Sequence, residues 1–285
     1  MPRSSRLANQ EEITKQLEPT LAEKWERLLT ILRQLGSAAV AYSGGVDSVV
    51  LATAAYLALG ERMAAFTIRS VVEQPGEAAA AAELAAQVGF RHQLVDFDDL
   101  AVEEFSANPP LRCYTCKLER YKTLGRLAAR QGLEHLLEGS NQDDAHERRP
   151  GKRAVQELGV RSPLAEAGLG KMEIRSLARA LELPVWEKPS APCLATRFPY
   201  GSTITVEGLQ RVAEAEKFLV ERGYRQVRVR DYGSLARIEV EPGMVADLAA
   251  DRQAVSQRLG ELGYKHVTVD LLGYRSGSLD EVLEE

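Results

Sequence analysis

Residues 38–60 read AAVAYSGGVDSVVLATAAYLALG, and this stretch decides the fold. A short apolar run is followed by a turn with two adjacent glycines and then by a longer apolar run. That order is typical of a buried strand, a tight turn and a helix. The same alternation of strand-length and helical segments continues as far as residue 184. It predicts an α/β fold with a parallel sheet that is covered on both faces.

The individual elements follow from apolar spacing, alanine content and glycine or proline at the ends. Besides the first strand and helix, we expect strands over 64–70, 91–98 and 135–141 and helices over 20–35, 77–89, 118–132 and 171–184.

The rhythm of the sequence changes after the proline-rich loop EKPSAPCLATRFPYG at 187–201. Residues 206–222 and 244–262 have helical patterns, while 225–231, 235–241 and 265–273 have strand patterns. We therefore expect a large α/β domain over 1–202 and a small α+β domain over 203–285 that serves substrate binding or oligomerisation.

Composition excludes several classes of protein. The chain has 285 residues, 45% hydrophobic and 27% charged, which is ordinary globular usage and excludes a mostly disordered chain. Its net charge of −5 argues against a general nucleic-acid or membrane binder. The first twenty residues lack the apolar core of a signal peptide, and the apolar run at 49–60 is short of the roughly 20 residues that span a bilayer. We expect a soluble, cytoplasmic protein with no nucleic-acid or membrane partner.

The string SGGVDS at 43–48 predicts a phosphate-binding turn. Gly44 and Gly45 let backbone N–H groups approach an anion, and the N-terminus of the following helix adds positive charge. Asp47 favours Mg²⁺ or a charged group over bare phosphate. The alternative is a simple strand–helix turn with Ser and Asp as caps. No GxxxxGK[ST] occurs, and no GxGxxG follows a strand, which excludes Walker-type and dinucleotide sites. The residues expected at this phosphate site are Ser43, Gly44, Gly45, Asp47, Ser48 and Gly139.

The string GSNQDD at 139–144 follows a later strand and should meet the first turn at the same edge of the sheet. Its acids, Asp143 and Asp144, are candidate Mg²⁺ ligands, and Glu216 is a weaker one. The alternative is a solvated polar loop, with Glu216 an exposed acid on an amphipathic helix.

The three cysteines have metal-ligand spacing but form an incomplete set of four. Cys113 and Cys116 belong to CYTC, and Cys193 lies in the proline-rich loop. Three interpretations stay open besides three unligated thiols. They are zinc with a histidine as fourth ligand, a [4Fe–4S] cluster with one open iron, and redox or nucleophilic chemistry of Cys193 activated by Arg197 or Lys188.

Five strings together resemble one family over nearly the whole chain. They are SGGVDS, NPPLRCYTCK (108–117), GSNQDDAHERRPG (139–151), the proline-rich loop and RQVRVRDYGSLARIEV (225–240). The first resembles the PP-loop of ATP pyrophosphatases, and the set is similar to the LarE sulfurtransferases. The resemblance implies the PP-loop fold, ATP with Mg²⁺, and adenylylation of the carboxylates of pyridinium-3,5-biscarboxylic acid mononucleotide. Thiocarboxylates then form for nickel-pincer cofactor biosynthesis.

The resemblance also implies roles for single residues. Asp47, Arg197 and Cys193 become catalytic candidates. Family members with three cysteines use them as ligands of a [4Fe–4S] cluster that carries extra sulfide. That form fits this chain, and it needs sulfide or another sulfur donor. In the alternative form, Cys193 gives up its own sulfur and becomes dehydroalanine. A homo-oligomer is implied as well.

The substrate carries a phosphate and two carboxylates, so cationic side chains are candidate clamps. Arg197, Arg228 and Arg230 suit that role, since residues two apart in a strand share a face and guanidinium binds phosphate through two hydrogen bonds. Trp186 is a candidate for stacking on the ring. The alternatives are a solvated strand face with paired charges and a tryptophan used for packing.

Three other functions compete with this one. A PP-loop tRNA thiolase would need a basic surface, which the net charge of −5 opposes. An amine-using ligase of the NAD or GMP synthetase type would need no cysteines. A nucleotide-binding module without catalysis would bind ATP and never release pyrophosphate.

Overall fold

The computed structural model describes residues 10–146, 150–189, 192–275 and 277–281. Parts of two motifs lie outside the described residues, at 147–149 and at 190–191. The described helices, in chain order, are α1 Gln10–Gln16, α2 Pro19–Leu35, α3 Val46–Leu59, α4 Glu77–Val88, α5 Glu103–Ser106, α6 Arg112–Arg130, α7 Gly151–Glu157, α8 Pro163–Glu166, α9 Lys171–Ala180, α10 Val206–Glu221, α11 Val245–Ala250 and α12 Arg252–Glu261. The described strands are β1 Ala38–Ala41, β2 Met63–Arg69, β3 His92–Asp96, β4 His135–Leu137, β5 Arg228–Tyr232, β6 Leu235–Glu239 and β7 His266–Val269.

The chain divides into two compact units that share segments of the sequence. Unit 1 comprises residues 1–69, 76–97 and 113–191, and unit 2 comprises residues 70–75, 98–112 and 192–285. The boundary expected between 202 and 203 stays a prediction. The chain passes from unit 1 to unit 2 between residues 191 and 192, and unit 2 also includes two earlier segments of the chain.

Unit 1 is built on a parallel sheet, as the alternating sequence predicts. Its four strands lie in the order β3-β2-β1-β4, and every neighbouring pair is parallel. Because β1 and β4 are neighbours and parallel, their carboxyl ends lie at the same edge of the sheet. The α/β fold class is confirmed.

Helix α3 is buried over most of its length because α2 and α9 pack on it. The buried side chains of α2 recur three or four residues apart, which places them on one face toward this core. They are Leu21, Trp25, Leu28, Leu29, Leu32 and Leu35. The buried β1–α3 segment therefore holds the turn between them on a rigid base.

Helix α6 begins at Arg112, six residues before the start expected from the sequence. Cys, Tyr and Thr are weak helix formers, so the CYTC string hides the first turn of this helix. Cys113 and Cys116 therefore lie on a helix and not in a loop.

Unit 2 contains the second sheet, in the order β5-β6-β7. Strands β5 and β6 form an antiparallel hairpin, and β7 runs parallel to β6. The single helix expected over 244–262 is wrong, since α11 and α12 are separated at Asp251. Among the described residues no helix is long and apolar enough to span a membrane.

Candidate active site

The turn between β1 and α3 is fixed by its own hydrogen bonds. The backbone N–H of Ser43 donates to Ser48 Oγ at 3.2 Å, and Ser48 Oγ donates to the carbonyl oxygen of Gly45 at 3.0 Å. The N–H of Gly45 donates to Ser43 Oγ at 3.3 Å. These contacts set the course of the chain directly ahead of α3. Small residues at the N-terminus of a long helix form a favourable place for a phosphate group.

Gly44 has two features that only glycine tolerates. Its φ is +75°, in the left-handed region, and a Cβ added to it would lie 2.9 Å from the Cβ of Ala81 on α4. The backbone of the turn therefore packs against α4 with no room for a side chain.

Asp47 lies in the first turn of α3 with one oxygen engaged and one open. Its Oδ2 accepts a hydrogen bond from the ammonium group of Lys171. Its Oδ1 is buried and has no hydrogen-bond partner among the described residues. A buried carboxylate oxygen without a donor is unfavourable unless a cation binds it, so the side chain fits a Mg²⁺ ligand.

The loop after β4 adjoins this turn, as the sequence predicts. A Cβ added to Gly139 would lie 3.1 Å from the backbone nitrogen of Ser48 and 3.4 Å from the carbonyl carbon of Asp47. The two loops are thus separated by little more than the width of a glycine. A shift of either loop must move the other.

Asp143 and Asp144 each use a carboxylate oxygen to organise the backbone. Asp144 Oδ2 accepts from the N–H of Asn141 at 2.9 Å, and Asp143 Oδ2 accepts from the N–H of Lys171 at 2.7 Å, at the start of α9. Asp143 is exposed and Asp144 is buried. Their role as Mg²⁺ ligands stays a prediction.

A second lysine contacts the phosphate turn. Lys188 Nζ donates to the carbonyl oxygen of Gly44 at 3.3 Å and to Glu77 Oε2 at 2.6 Å. Together with Lys171, it places two ammonium groups beside a turn suited to a polyphosphate. The sequence suggests Lys188 only as a neighbour of Cys193 and does not point to Lys171.

The cysteines belong to different units. Cys113 and Cys116 lie in the first turns of α6 in unit 1, exposed and half-buried respectively. Cys193 lies in unit 2, immediately before a 3-10 turn over Leu194–Arg197. All three are thiols rather than disulfides. Within the described ranges, no three His, Cys, Asp or Glu side chains are grouped to hold a metal ion.

Two of the thiols nevertheless fit an iron–sulfur ligand pair. Residues three apart on a helix are surface neighbours, so Cys113 and Cys116 lie on the same side of α6. Cysteine pairs at this spacing occur among the ligands of iron–sulfur clusters.

Arg197 and Glu216 form a buried ion pair in unit 2. Two guanidinium nitrogens of Arg197 donate to the two carboxylate oxygens of Glu216, both at 2.8 Å, with side chains 1% and 7% exposed. Glu216 also accepts from the N–H of Val229 at 2.9 Å. The interpretation of Glu216 as an exposed acid is wrong, because these donors make burial of the carboxylate tolerable. Its role as a Mg²⁺ ligand stays a prediction.

Arg197 also organises the cysteine loop. Its Nη1 donates to the carbonyl oxygens of Pro192 at 3.0 Å and of Cys193 at 3.1 Å. These contacts and Glu216 engage the guanidinium on several sides, so in this structure Arg197 acts as a support for the loop.

Arg228 and Arg230 lie on one face of β5, since Val229 between them is part of the hydrophobic core. Arg230 is buried and donates to both oxygens of Glu239, at 2.9 and 2.7 Å. The alternative of a solvated strand face is therefore wrong for Arg230 as regards exposure, although its charge is paired, and its role as a substrate clamp stays a prediction.

Arg228 is the more available of the two guanidinium groups. It is half-buried and stacks on the ring of Tyr274 at 5.1 Å. Among the described residues no carboxylate forms an ion pair with it; its hydrogen bond goes to the carbonyl oxygen of Val227. Burial, and next the cation of Arg197, lower its pKa. The negative charge of an anionic ligand would offset both effects.

Trp186 is half-buried against the core of unit 1 and lies under the guanidinium of Arg179 at 5.4 Å. These contacts favour the packing alternative, and stacking on a substrate ring stays a prediction.

Comparisons with known proteins agree with this geometry. Residues 31–114, which include the phosphate turn, match the asparagine synthase family. The chain is 44% identical to an uncharacterized protein of Synechocystis, over 92% of this chain and 99% of that protein. It is 30% identical to an uncharacterized protein of Methanocaldococcus jannaschii, over 83% of this chain and 90% of that protein.

A further relative specifies the reaction class. The chain is 35% identical to the pyridinium-3,5-bisthiocarboxylic acid mononucleotide synthase of Lactiplantibacillus plantarum, over 93% of this chain and 96% of that protein. Similarity at this level over nearly the whole of both chains, together with the phosphate turn and its neighbouring loop, identifies the family. The chain belongs to the LarE family of the PP-loop superfamily and is an ATP-dependent sulfurtransferase.

Proposed function

We propose that this enzyme converts the carboxylates of pyridinium-3,5-biscarboxylic acid mononucleotide into thiocarboxylates for nickel-pincer cofactor biosynthesis. The relative from L. plantarum is named for the dithio mononucleotide that such a reaction yields. The observation that carries the proposal is the phosphate turn with its adjoining Gly139 loop and the open oxygen of Asp47.

Each carboxylate is converted to a thiocarboxylate in two steps. The carboxylate oxygen attacks the α-phosphorus of ATP, pyrophosphate leaves, and an acyl adenylate forms. Hydrosulfide or an equivalent sulfur nucleophile then attacks the acyl carbon, AMP leaves with the carboxylate oxygen, and the proton of the hydrosulfide goes to solvent. Adenylylation is needed because oxide is too poor a leaving group for a carboxylate to react directly.

The turn residues bind and orient the nucleotide in this scheme. The N–H group of Gly44 would hold the phosphates, and the Gly45 N–H and the hydroxyls of Ser43 and Ser48 would join it by exchanging their hydrogen bonds within the turn for phosphate oxygens. Lys171 and Lys188 would balance the phosphate charge. Asp47 would hold Mg²⁺, which supplies positive charge where the pyrophosphate departs.

We further propose that Cys113, Cys116 and Cys193 would hold a [4Fe–4S] cluster. When bound, such a cluster supplies an open coordination position for an extra sulfide. The proposal rests on the helical spacing of the first two thiols. Arg197 contributes by holding the backbone of the Cys193 loop through its hydrogen bonds to the carbonyl oxygens. Sacrifice of the Cys193 sulfur would use the same loop and is the alternative outcome.

We assign the anionic groups of the substrate to Arg228 within a substrate-binding domain over 203–285. Arg228 lacks a carboxylate partner among the described residues, whereas Arg197 and Arg230 each have one. The homo-oligomer stays a prediction that light scattering can test.

The test uses the full chain prepared anaerobically and supplied with the mononucleotide, ATP and Mg²⁺. Pyrophosphate release reports adenylylation, and the mass of the product reports replacement of oxygen by sulfur. Iron and sulfide content and the mass of the protein after turnover separate the two sulfur sources. A cluster predicts iron that is lost in Cys113→Ser, and sacrifice predicts a protein that has lost the mass of H₂S.

Two results would reject the proposal. One is pyrophosphate release that does not depend on the mononucleotide. The other is sulfur transfer to bulk tRNA in place of the mononucleotide, which would make the enzyme a tRNA thiolase. Replacement of all three cysteines by serine with activity intact would favour an amine-using ligase.

A further inference from the structure

Glu138 is a buried acid at the junction of two functional segments. It follows β4 and directly precedes Gly139, and its side chain is 6% exposed. A carboxylate that far from water is unfavourable unless several donors satisfy it. No step of the proposed sulfur transfer uses the carboxylate of Glu138.

The donors to Glu138 come from separate parts of unit 1. Oε1 accepts from the N–H of Ser140 at 3.1 Å and from the hydroxyl of Ser162 at 2.5 Å. Oε2 accepts from Lys117 Nζ at 3.4 Å, and the hydroxyl of Tyr121, one turn further along α6, also hydrogen-bonds to the carboxylate. Burial by itself would raise the pKa of Glu138, but Lys117 and the two serines outweigh it and lower the pKa. Glu138 is therefore a charged centre that joins the loop after β4 to α6.

The contact between Glu138 and Lys117 lies between the phosphate turn and the part of α6 that carries Cys113 and Cys116. On one side, Gly139 adjoins the phosphate turn, where a Cβ would lie 3.1 Å from the backbone nitrogen of Ser48. On the other side, Lys117 immediately follows Cys116 on α6. The stem of Lys117 packs against Gly151, since its Cδ lies 2.7 Å from where a Cβ on Gly151 would stand.

We propose that Glu138 is a positioning residue that links nucleotide binding to the order of the first turns of α6, through Lys117. The proposal rests on the proposed function only in that ATP binds at the phosphate turn. ATP held there fixes the Gly139 loop, and the Glu138 carboxylate then holds Lys117 and the helical turn that carries Cys113 and Cys116. The first turns of α6 therefore open less often when ATP is bound. By linkage, order in these turns favours ATP to the same extent.

Hydrogen–deuterium exchange of the full chain, with and without ATP and Mg²⁺, tests the link. In the parent chain we expect ATP to slow exchange in residues 139–144, and also in residues 112–121 by about fivefold or more. In Glu138→Gln, ATP should still protect 139–144 but no longer 112–121. Neither substrate nor sulfur is needed, so a failure of sulfur transfer and a failure of this link are distinguishable.

Two more variants make the test decisive. Lys117→Met keeps the stem beside Gly151 and removes the charge, so it should lose the same protection even if Glu138→Gln fails to fold. Glu157→Gln is the matched control. Glu157 lies on α7 and accepts a hydrogen bond at 2.7 Å from Tyr114, which like Lys117 is on α6, but the Glu157 side chain is exposed. Glu157→Gln should keep the protection.

Three results would overturn the proposal. They are no ATP-linked protection of 112–121 in the parent chain, protection that survives in Lys117→Met, and equal loss of protection in Glu157→Gln. A parent chain that does not bind ATP at all would instead reject the proposed function.

Discussion

Replacing Gly44 with alanine tests whether the phosphate turn is built around a missing side chain. The φ of +75° is unfavourable for an L-residue by roughly 1–2 kcal/mol. The added Cβ would lie 2.9 Å from the Cβ and 3.2 Å from the Cα of Ala81, both below the 3.4 Å at which ordinary contact begins. Overpacking a tight site costs about 1–3 kcal/mol, so the total expected loss of unfolding free energy is about 2–5 kcal/mol.

Gly36→Ala separates the backbone effect from the steric effect. Gly36 has a similar φ of +72°, but a Cβ there would meet nothing within 4 Å. It should therefore lose only the backbone contribution of roughly 1–2 kcal/mol. Urea unfolding at equilibrium measures both losses, and calorimetry measures ATP binding. ATP binding should weaken only in Gly44→Ala, because only that variant displaces the N–H groups of the phosphate turn.

The double variant Gly44→Ala with Ala81→Gly isolates the contact with α4. Removing the Ala81 methyl should restore only part of the steric loss, because the approach to the Ala81 Cα at 3.2 Å remains. The glycine introduced inside α4 costs a further roughly 0.5–1 kcal/mol. If Gly44→Ala unfolds at the same urea concentration as Gly36→Ala and binds ATP like the parent chain, the close approach constrains nothing. The structural reasoning about the phosphate turn would then be wrong.

Three further predictions test charged contacts. Lys171→Met removes the ammonium group beside Asp47. A hydrogen bond from this ammonium to a phosphate would contribute about 1.5–3 kcal/mol. Calorimetry should therefore show ATP binding that is roughly ten- to a hundredfold weaker. Unchanged affinity would separate Lys171 from the nucleotide site. Arg230→Met removes two charged hydrogen bonds from the buried carboxylate of Glu239 and leaves Arg237 as its ion-pair partner, so it should lower the unfolding free energy in urea by about 1.5–3 kcal/mol. Arg69→Met at an exposed pair should lower it far less, and equal losses would contradict the burial argument. Because the pKa of Glu138 is lowered in the folded chain, its charged form stabilises the fold at neutral pH, and that stabilisation is lost as the pH falls through the lowered pKa. The stability advantage of the parent chain over Glu138→Gln should therefore shrink as the pH falls below about 5, and a constant difference would show that the charge is not involved.

The fold is predictable from the sequence where apolar spacing and glycine signals coincide. The strands of the first sheet and helices such as α2 and α4 lie within a few residues of their expected positions. The start of α6 is not predictable, because weak helix formers occupy its first turn. The break between α11 and α12 at Asp251 is not predictable either, because the helical sequence pattern continues on both sides of it. The break depends on tertiary contacts such as the ion pair between Asp251 and Arg222.

The candidate site divides in the same way. The phosphate turn and its meeting with the Gly139 loop follow from local strings at the ends of neighbouring parallel strands. Lys171 and Glu138 do not, because a single lysine or glutamate carries no pattern and its role depends on which side chain the fold brings to it. One signal for Glu138 exists in retrospect: it ends a strand at the edge of the sheet where ligands bind.

The arginines of unit 2 illustrate why residue type alone does not assign a ligand. Arg197, Arg228 and Arg230 have the same side chain and suit the same anion. The fold gives Arg197 a carboxylate and the backbone of the cysteine loop, and it gives Arg230 a carboxylate buried completely. Taking Arg197 for a substrate would leave buried Glu216 without that ion pair, which costs roughly 3–5 kcal/mol. Taking Arg230 would remove two hydrogen bonds from buried Glu239 and leave Arg237 as its ion-pair partner. Arg228 forms no ion pair with a carboxylate among the described residues. An anion that binds there therefore neutralises an unpaired cation and leaves no carboxylate unpaired.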